Sequence, residues 1–239
     1  MNQNQAFQIL TMGSNVLLTG AAGSGKTYLV NRFVSYCHEH AINIAITAST
    51  GIAATHIGGM TIHSWSGMGI RDSLSDDDIE ELLSREYLAK RYAKTAVLII
   101  DEISMLSGGF LMNLDRLLRS ARVSPQPFGG IQVICVGDFF QLPPISRGGA
   151  VEYAFEHPIW RRLEMTPCVL TTQFRQTSET GIDPLLTILN EIRSGTVSSQ
   201  SRDMLRSRDV SVLTSDHTEL FTRNQSVDNY NIDRLAVLS

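Results

Sequence analysis

Cysteine is scarce: the chain has three, Cys37, Cys135 and Cys168, odd in number and far apart. That pattern matches neither a zinc site nor a disulfide framework, so the three read as reduced filler residues. Long apolar runs are also missing. None approaches the roughly 20 residues of a membrane span, and the opening "MNQNQAFQIL" lacks the basic and apolar regions of a secretory signal. A soluble, intracellular protein with no membrane partner is expected, cytoplasmic if bacterial or phage, nuclear or mitochondrial if eukaryotic. Nor does either sign of charge dominate. With 20 Lys and Arg against 24 Asp and Glu, the net charge is −4, which argues against a histone-like global attraction for nucleic acid but leaves room for a local cationic groove. Repeats and low-complexity segments are absent as well.

What is present is a length of 239 residues with 43% hydrophobic content, enough for one large α/β domain or one domain with a small insertion. Apolar runs at Val16 to Thr19, Ile42 to Thr47, Val97 to Ile100, Ile131 to Val136 and Val169 to Thr171 read as strands, and stretches such as Phe110 to Arg122 as helices. Their alternation predicts a mainly parallel sheet flanked by helices. The rhythm breaks between Met68 and Thr95, where "SDDDIEELLSREYLAKRYAK" carries acids early and bases late, as a solvated helix capped at Ser75 would. This insertion reads equally well as a charged surface helix or as a face toward nucleic acid. The last segment, "ELFTRNQSVDNYNIDRLAVLS", begins like a further strand and helix and stops without a closing glycine or polar tail, as if cut.

The most informative octet is "GAAGSGKT", residues 20 to 27. At average residue frequencies such a pattern should arise by chance in roughly one percent of chains this long. Here it follows a β-rich run and opens a helix-like stretch with Leu29, Val30, Phe33 and Val34 on one side, the setting of a phosphate loop. Gly20, Gly23 and Gly25 admit backbone conformations closed to other residues, bringing N–H groups, that of Ser24 among them, to phosphate oxygens at a helix N-terminus. Lys26 would reach the β- and γ-phosphates of ATP, and Thr27 would hold magnesium.

Farther on, "VLIIDEISM" puts two acids at the end of a continuous apolar run, where a buried parallel strand reaches its C-terminal edge. Asp101 would organise the magnesium shell and Glu102 would orient or deprotonate the attacking water. In "IQVICVGDFFQLPP", Asp138 and Gln141 would lie near the γ-phosphate, although Pro143 and Pro144 also suit a plain stiffened turn. "TASTGIAATHIGGMTIHSWSG" is rich in hydroxyls, glycines and small residues, suited to sugar and phosphate contacts. Ser49, Thr50 and Gly51 serve as well as an ordinary cap for "IAATHI". His63 reads as packed core or as a ligand, and Trp65 as core or as a base-stacking platform.

These motifs together resemble the petite-integration-frequency helicases, the Pif-one type of helicase superfamily one, which are also similar to RecD and Dda. The likeness covers nearly the whole chain, through "GAAGSGKT", "TASTGIAATHIGGMTIHSWSG", "LIIDEISML", "PFGGIQVICVGDFFQLPP" and "LTTQFRQ"; "PFGGIQ" leading into "GDFFQLPP" is its most specific part. The resemblance implies a RecA-like P-loop NTPase fold and an ATP-driven motor that moves 5′ to 3′ on single-stranded DNA, separates forked or structured duplexes without sequence preference, and acts as a monomer. By position it makes Gln3 the adenine-recognising glutamine, with Gln5 as fallback, Gln141 the γ-phosphate sensor, and Arg175 of "FRQ" an arginine contacting the γ-phosphate. It makes Thr50, Gly51, His63 and Ser64 DNA contacts. It further implies a first motor domain over 1–67 and 96–210, an inserted wedge subdomain over 68–95, and the start of a second, truncated RecA-like domain over 211–239. The later family motifs have no counterpart before Ser239. A phosphotransferase with a phosphate loop is the rival reading, but it leaves "GDFFQLPP" unexplained; a nucleotide-gated DNA-binding module without turnover is the other.

Overall fold

The computed structural model describes residues 1–69, 71, 73–144, 151–172, 177–178, 181–182, 184–209 and 218–238. The chain runs α1 (Gln3–Thr11), β1 (Val16–Gly20), α2 (Lys26–Glu39), β2 (Ile44–Ala48), α3 (Gly51–His56), β3 (Met60–Thr61) and α4 (Ile62–Ser66). It continues with α5 (Asp76–Ser84), α6 (Glu86–Lys94), β4 (Val97–Asp101), α7 (Gly108–Ala121), β5 (Gln132–Val136), α8 (Pro158–Arg162) and β6 (Thr166–Leu170). Two short strands, β7 (Thr177–Ser178) and β8 (Gly181–Ile182), pair antiparallel, and helices α9 (Pro184–Ser194), α10 (Ser199–Arg206) and α11 (Asn224–Leu238) follow. Among the described residues no helix is long and apolar enough to cross a membrane.

Six strands form one sheet in the order β3-β2-β4-β5-β1-β6, every pair parallel. Helices cover both faces, so the central strands are apolar on both sides. In β4 the alternation separates two cores: Leu98 and Ile100 join the cluster under α7, while Val97 and Ile99 join the one under α1 and α2. Helix α7 is capped by Ser107, whose hydroxyl accepts from Phe110 N, and buries Leu111, Leu114 and Leu118 at helical spacing. Helix α2 buries Leu29, Val30, Phe33 and Cys37 against the other face. All three cysteines are free and buried, and burial pushes the Cys37 thiol up to about 11. This parallel α/β architecture is the RecA-like fold the resemblance implied.

The stretch from Ser75 differs from the single solvated helix expected of it. Ser75 does start a helix, in a capping box with Asp78. Arg85, at φ −78° and ψ 97°, then breaks the run into α5 and α6. One face of the pair is buried: Ile79, Leu82, Leu88 and Tyr92 belong to the same cluster as Leu98 and Leu114. The buried apolar residues described within 68–95 thus belong to the main core. Arg122, at the C-terminal end of α7, ties them to that helix and to the turn before β5 by donating to the carbonyls of Tyr92, Ala93 and Thr95, each at 3.0 Å, and to Gly129 O at 2.8 Å.

The chain divides into two compact units, Met1–Arg193 and Ser194–Ser239, a boundary earlier than the 210/211 division expected from the resemblance. In the second unit α10 is capped by Ser198, and the ring of Phe221 lies 5.4 Å from that of Tyr230. The expected strand before α11 is not found among the described residues.

Candidate nucleotide-binding site

Because the strands are parallel, their C-terminal ends share one edge of the sheet. β1 delivers Gly20 there, β4 delivers Asp101, and β5 is followed by Gly137, whose N–H donates to Leu18 O at 3.1 Å. A cavity of about 400 Å³ opens at this edge, lined by residues that include Gly23, Gly25, Lys26, Thr27, Glu102, Asp138 and Gln141.

The loop from Gly20 to Gly25 owes its shape to its glycines, all three at positive φ. A Cβ on Gly20 would stand 2.7 Å from both Leu170 O and Ser24 Oγ. Gly25 caps α2 in the left-handed region at φ 84° with no side-chain cap, so the first N–H groups of α2 face the cavity mouth without a capping acceptor. Ser24 is buried and its hydroxyl has no partner. Lys26 Nζ donates to Gly20 O at 2.8 Å and to Ala21 O at 3.3 Å. Burial lowers its pKa, opposed by the carboxylates of Asp138, Glu102 and Asp101.

Asp101 and Glu102 adjoin this lysine. Asp101 Oδ1 accepts from the backbone N of Glu102 at 2.9 Å. Glu102 sits in the left-handed region, φ 53° and ψ 46°, sparsely populated by residues with a Cβ. Burial raises both carboxyls; Asp101 raises Glu102 further, and Lys26 opposes both shifts. Asp138, 1% exposed, accepts from Phe140 N at 3.2 Å and from the Gln141 amide at 3.3 Å. It is also gripped by Arg193, whose Nε and Nη2 donate to its two oxygens at 2.9 and 3.1 Å. Burial alone would raise the Asp138 carboxyl, but the hydrogen bonds and charge of Arg193 carry it below the usual range.

The structure brings Lys26, Thr27, Glu102 and Gln141 to one cavity, with Asp101 beside it. Gln3, in the first turn of α1, reaches the same loop, its amide 3.4 Å from Gly25 O. Gln5 is occupied elsewhere, closing the α1 capping box with Asn2. Arg175 lies outside the described residues. Thr50 caps α3, its hydroxyl accepting from Ala53 N at 3.2 Å, and exposed Gly51 opens that helix. His63 is half-buried beside Phe110, ring centroids 4.7 Å apart, and its pKa is lowered by that burial; Ser64 is exposed and accepts from Thr61 Oγ1 at 3.0 Å. Trp65 is core, packed edge-on against Tyr92, so it is no stacking platform. Sequence reasoning missed Arg193. It lies 55 residues from its partner, and nothing local in "LNEIRSG" marks it.

Both the sequence and the fold have counterparts among known proteins. The sequence matches the family described as PIF1-like helicase over residues 2–203. It is 44% identical to the ATP-dependent DNA helicase Pif1 of Psychrobacter, over 100% of this chain and 37% of that protein. With Saccharomyces cerevisiae RRM3, also named an ATP-dependent DNA helicase, identity is 37% over 96% of this chain and 32% of the relative. The crystal structure of Pif1 helicase from Candida albicans superposes with a TM-score of 0.87 at 33% identity, covering 99% of this chain and 54% of that one. The Bacteroides Pif1 helicase in complex with ADP-AlF3 and single-stranded DNA gives 0.82 at 32% identity over 99% and 57%. The chain therefore spans between about a third and somewhat over half of these relatives. A phosphate loop, a paired-acid strand end and a "GDFFQLPP" turn on one edge of a parallel sheet, with a sequence match from residue 2 to 203, leave one placement: the chain belongs to the PIF1-like helicase family.

Proposed function

We propose that this chain is the first motor domain of an ATP-dependent DNA helicase, binding and hydrolysing ATP with magnesium and moving 5′ to 3′ on single-stranded DNA. The convergence of Lys26, Thr27, Asp101, Glu102 and Gln141 on one edge of the sheet carries this reading. The α2 N-terminus and the N–H groups from Gly20 to Gly25 cradle the phosphates, with Lys26 exchanging its bonds to the Gly20 and Ala21 carbonyls for phosphate oxygens. Thr27 and Asp101 fit magnesium, a hard ion that takes one or two protein oxygens beside phosphate and water; when bound it neutralises charge on the phosphates. Glu102 orients or deprotonates the attacking water, and its raised pKa makes it a better proton acceptor than an exposed glutamate. Gln141, held by Asp138, senses the γ-phosphate. Gln3 reads adenine, a role its proximity to Gly25 supports and the capped position of Gln5 leaves to it. Arg175 is proposed to contact the γ-phosphate from its motif alone.

For DNA, Thr50 and Gly51 follow the end of β2, while His63 and Ser64 follow the end of β3, whose Thr61 pairs with Ala48. Hydroxyls and exposed backbone thus gather at adjacent strand ends, on the edge that also holds Asp101, to which Ser49 N donates at the carbonyl. Single-stranded and forked DNA bound as a monomer, a wedge role for 68–95 and a second motor domain starting within 211–239 belong to the same proposal. ATP hydrolysis measured with and without single-stranded DNA tests it: DNA-stimulated turnover is expected. Phosphorylation of a small acceptor would favour a kinase, and binding without turnover a gated module. Lys26→Ala should abolish nucleotide binding or turnover, since it removes the cation placed among the phosphates; wild-type hydrolysis in that variant overturns the phosphate-loop assignment.

A further inference from the structure

The proposed ATP site carries a charge problem. Its lining and immediate surroundings hold three carboxylates, Asp101, Glu102 and Asp138, against one lysine. Magnesium can be held by Asp101, and Glu102 is needed as a base. Asp138 has no such use, yet it lines the cavity and is the carboxylate acting most strongly on the Lys26 ammonium. An unbalanced Asp138 would both repel a polyphosphate and compete with it for Lys26.

We propose that Arg193 is the residue that resolves this conflict: by gripping Asp138 with two parallel N–H···O bonds it cancels the carboxylate's charge toward the phosphates and frees Lys26 for nucleotide. Geometry supports the assignment. The grip is two-pronged, at 2.9 and 3.1 Å, the arrangement in which arginine binds carboxylate most strongly. The guanidinium is further held over the Phe140 ring, 4.6 Å from its centroid. The same carboxylate accepts the Gln141 amide, so Arg193 also fixes the side chain proposed to meet the γ-phosphate. Arg193 itself is not among the residues lining the cavity; it acts through Asp138 as a positioning residue. It is also the last residue of the first compact unit.

The inference rests on the ATP-site reading above, and its test separates the two. The dissociation constant of a fluorescent, non-hydrolysable ATP analogue is measured with magnesium for the wild-type chain, Lys26→Ala, Arg193→Met, Asp138→Asn and the double variant Arg193→Met with Asp138→Asn, with circular dichroism for each. Arg193→Met is expected to weaken binding by about tenfold or more, a free-energy change of about 1.4 kcal/mol per factor of ten. Removing the orphaned carboxylate in the double variant should return affinity to within a few-fold of wild type. Arg193→Lys, which keeps the charge but loses the fork, should fall between wild type and Arg193→Met; it serves as the second probe if Arg193→Met loses its helical signal. Two results overturn the clamp alone, provided the wild type binds and Lys26→Ala binds less tightly: full affinity in both Arg193 variants, or a double variant as weak as Arg193→Met with its fold intact; full affinity in Lys26→Ala removes the role of Lys26 in binding and the clamp with it. A wild-type chain that binds no nucleotide removes the ATP-site reading and the clamp with it.

Discussion

Glu102 pays for its place in backbone strain: a non-glycine residue at φ 53° and ψ 46° is held there only because the structure around it over-determines the turn. The strain follows from its position, directly after β4 ends and where Ile103 must turn back into a short 3₁₀ helix. Glu102→Gln keeps the shape and the turn but cannot accept a proton. Affinity for ATP should be preserved while turnover falls by on the order of 10² to 10⁴, the range expected for loss of a general base. Equilibrium nucleotide binding beside single-turnover hydrolysis checks this, and a parallel loss of binding would show that the roles of Asp101 and Glu102 are misassigned. Gly20 tests the loop in the opposite sense. Gly20→Ala drives a methyl to within 2.7 Å of Leu170 O and Ser24 Oγ, and should destabilise the fold by about 1–3 kcal/mol, as overpacking does. Thermal melting with nucleotide absent reads that cost separately from any effect on binding.

Among the elements, α5 and α6 diverge most from their sequence appearance. Their charge is conspicuous and their apolar residues sparse, yet Leu82, Leu88 and Tyr92 are fully buried beneath α7 and the sheet. Leu88→Ala should cost about 2–5 kcal/mol and lower the denaturation midpoint of the first unit as a whole, in one transition. A separate early transition, with the rest of the unit unaffected, would instead mark 68–95 as an independent subdomain. The "PFGG" turn is a second case. It precedes β5, at the end of that strand away from Asp138, and Phe128 there is fully buried at φ 52° with its N–H donated to Asp115 Oδ1 at 2.7 Å. A Cβ on Gly129 would meet Leu118 O at 2.6 Å. The "PFGG" half of the stretch is therefore a joint between α7, α6 and β5, at the far end of the strand from the "GDFFQLPP" half that lines the cavity.

For the whole molecule, the parallel order of the sheet puts the proposed catalytic groups and DNA contacts at the ends of neighbouring strands on one edge. That is a short physical path for coupling, and the proposed DNA contacts are mainly hydroxyls and backbone groups rather than clustered cations. Binding of single-stranded DNA should accordingly be weak and indifferent to sequence, and should fall on the order of tenfold or more when salt is raised from about 50 to about 200 mM. Fluorescence anisotropy with unrelated oligonucleotides checks it; tight binding to one sequence that survives high salt would contradict it. The 239 residues assayed alone should not displace a strand from a 5′-tailed duplex. Among the described residues, the groups proposed to handle ATP gather at one edge of one sheet, and stepping needs a second gripping surface that moves as the cleft opens and closes. ATP-dependent displacement by these residues alone would refute that account.

Much of the proposed site could be read from the chain because its motifs are local. A phosphate loop, the two acids of a buried strand end and the "GDFFQLPP" turn each depend on a few contiguous residues, whose backbone demands and charges are written in their side chains; the alternation of apolar runs likewise specified a parallel sheet between helices. Strand boundaries shifted by one to three residues, since hydrogen-bond register rather than apolarity decides where pairing ends. Tertiary structure alone decided what depends on distant partners. It chose core for Trp65, turned Gln5 into a capping residue and left Gln3 at Gly25, and folded the charged stretch after Ser75 into the main core. It also brought Arg193 across 55 residues to Asp138. A salt bridge between segments so far apart leaves no periodicity or spacing in either of them, because the energy that selects it appears only once the sheet has set both ends in place.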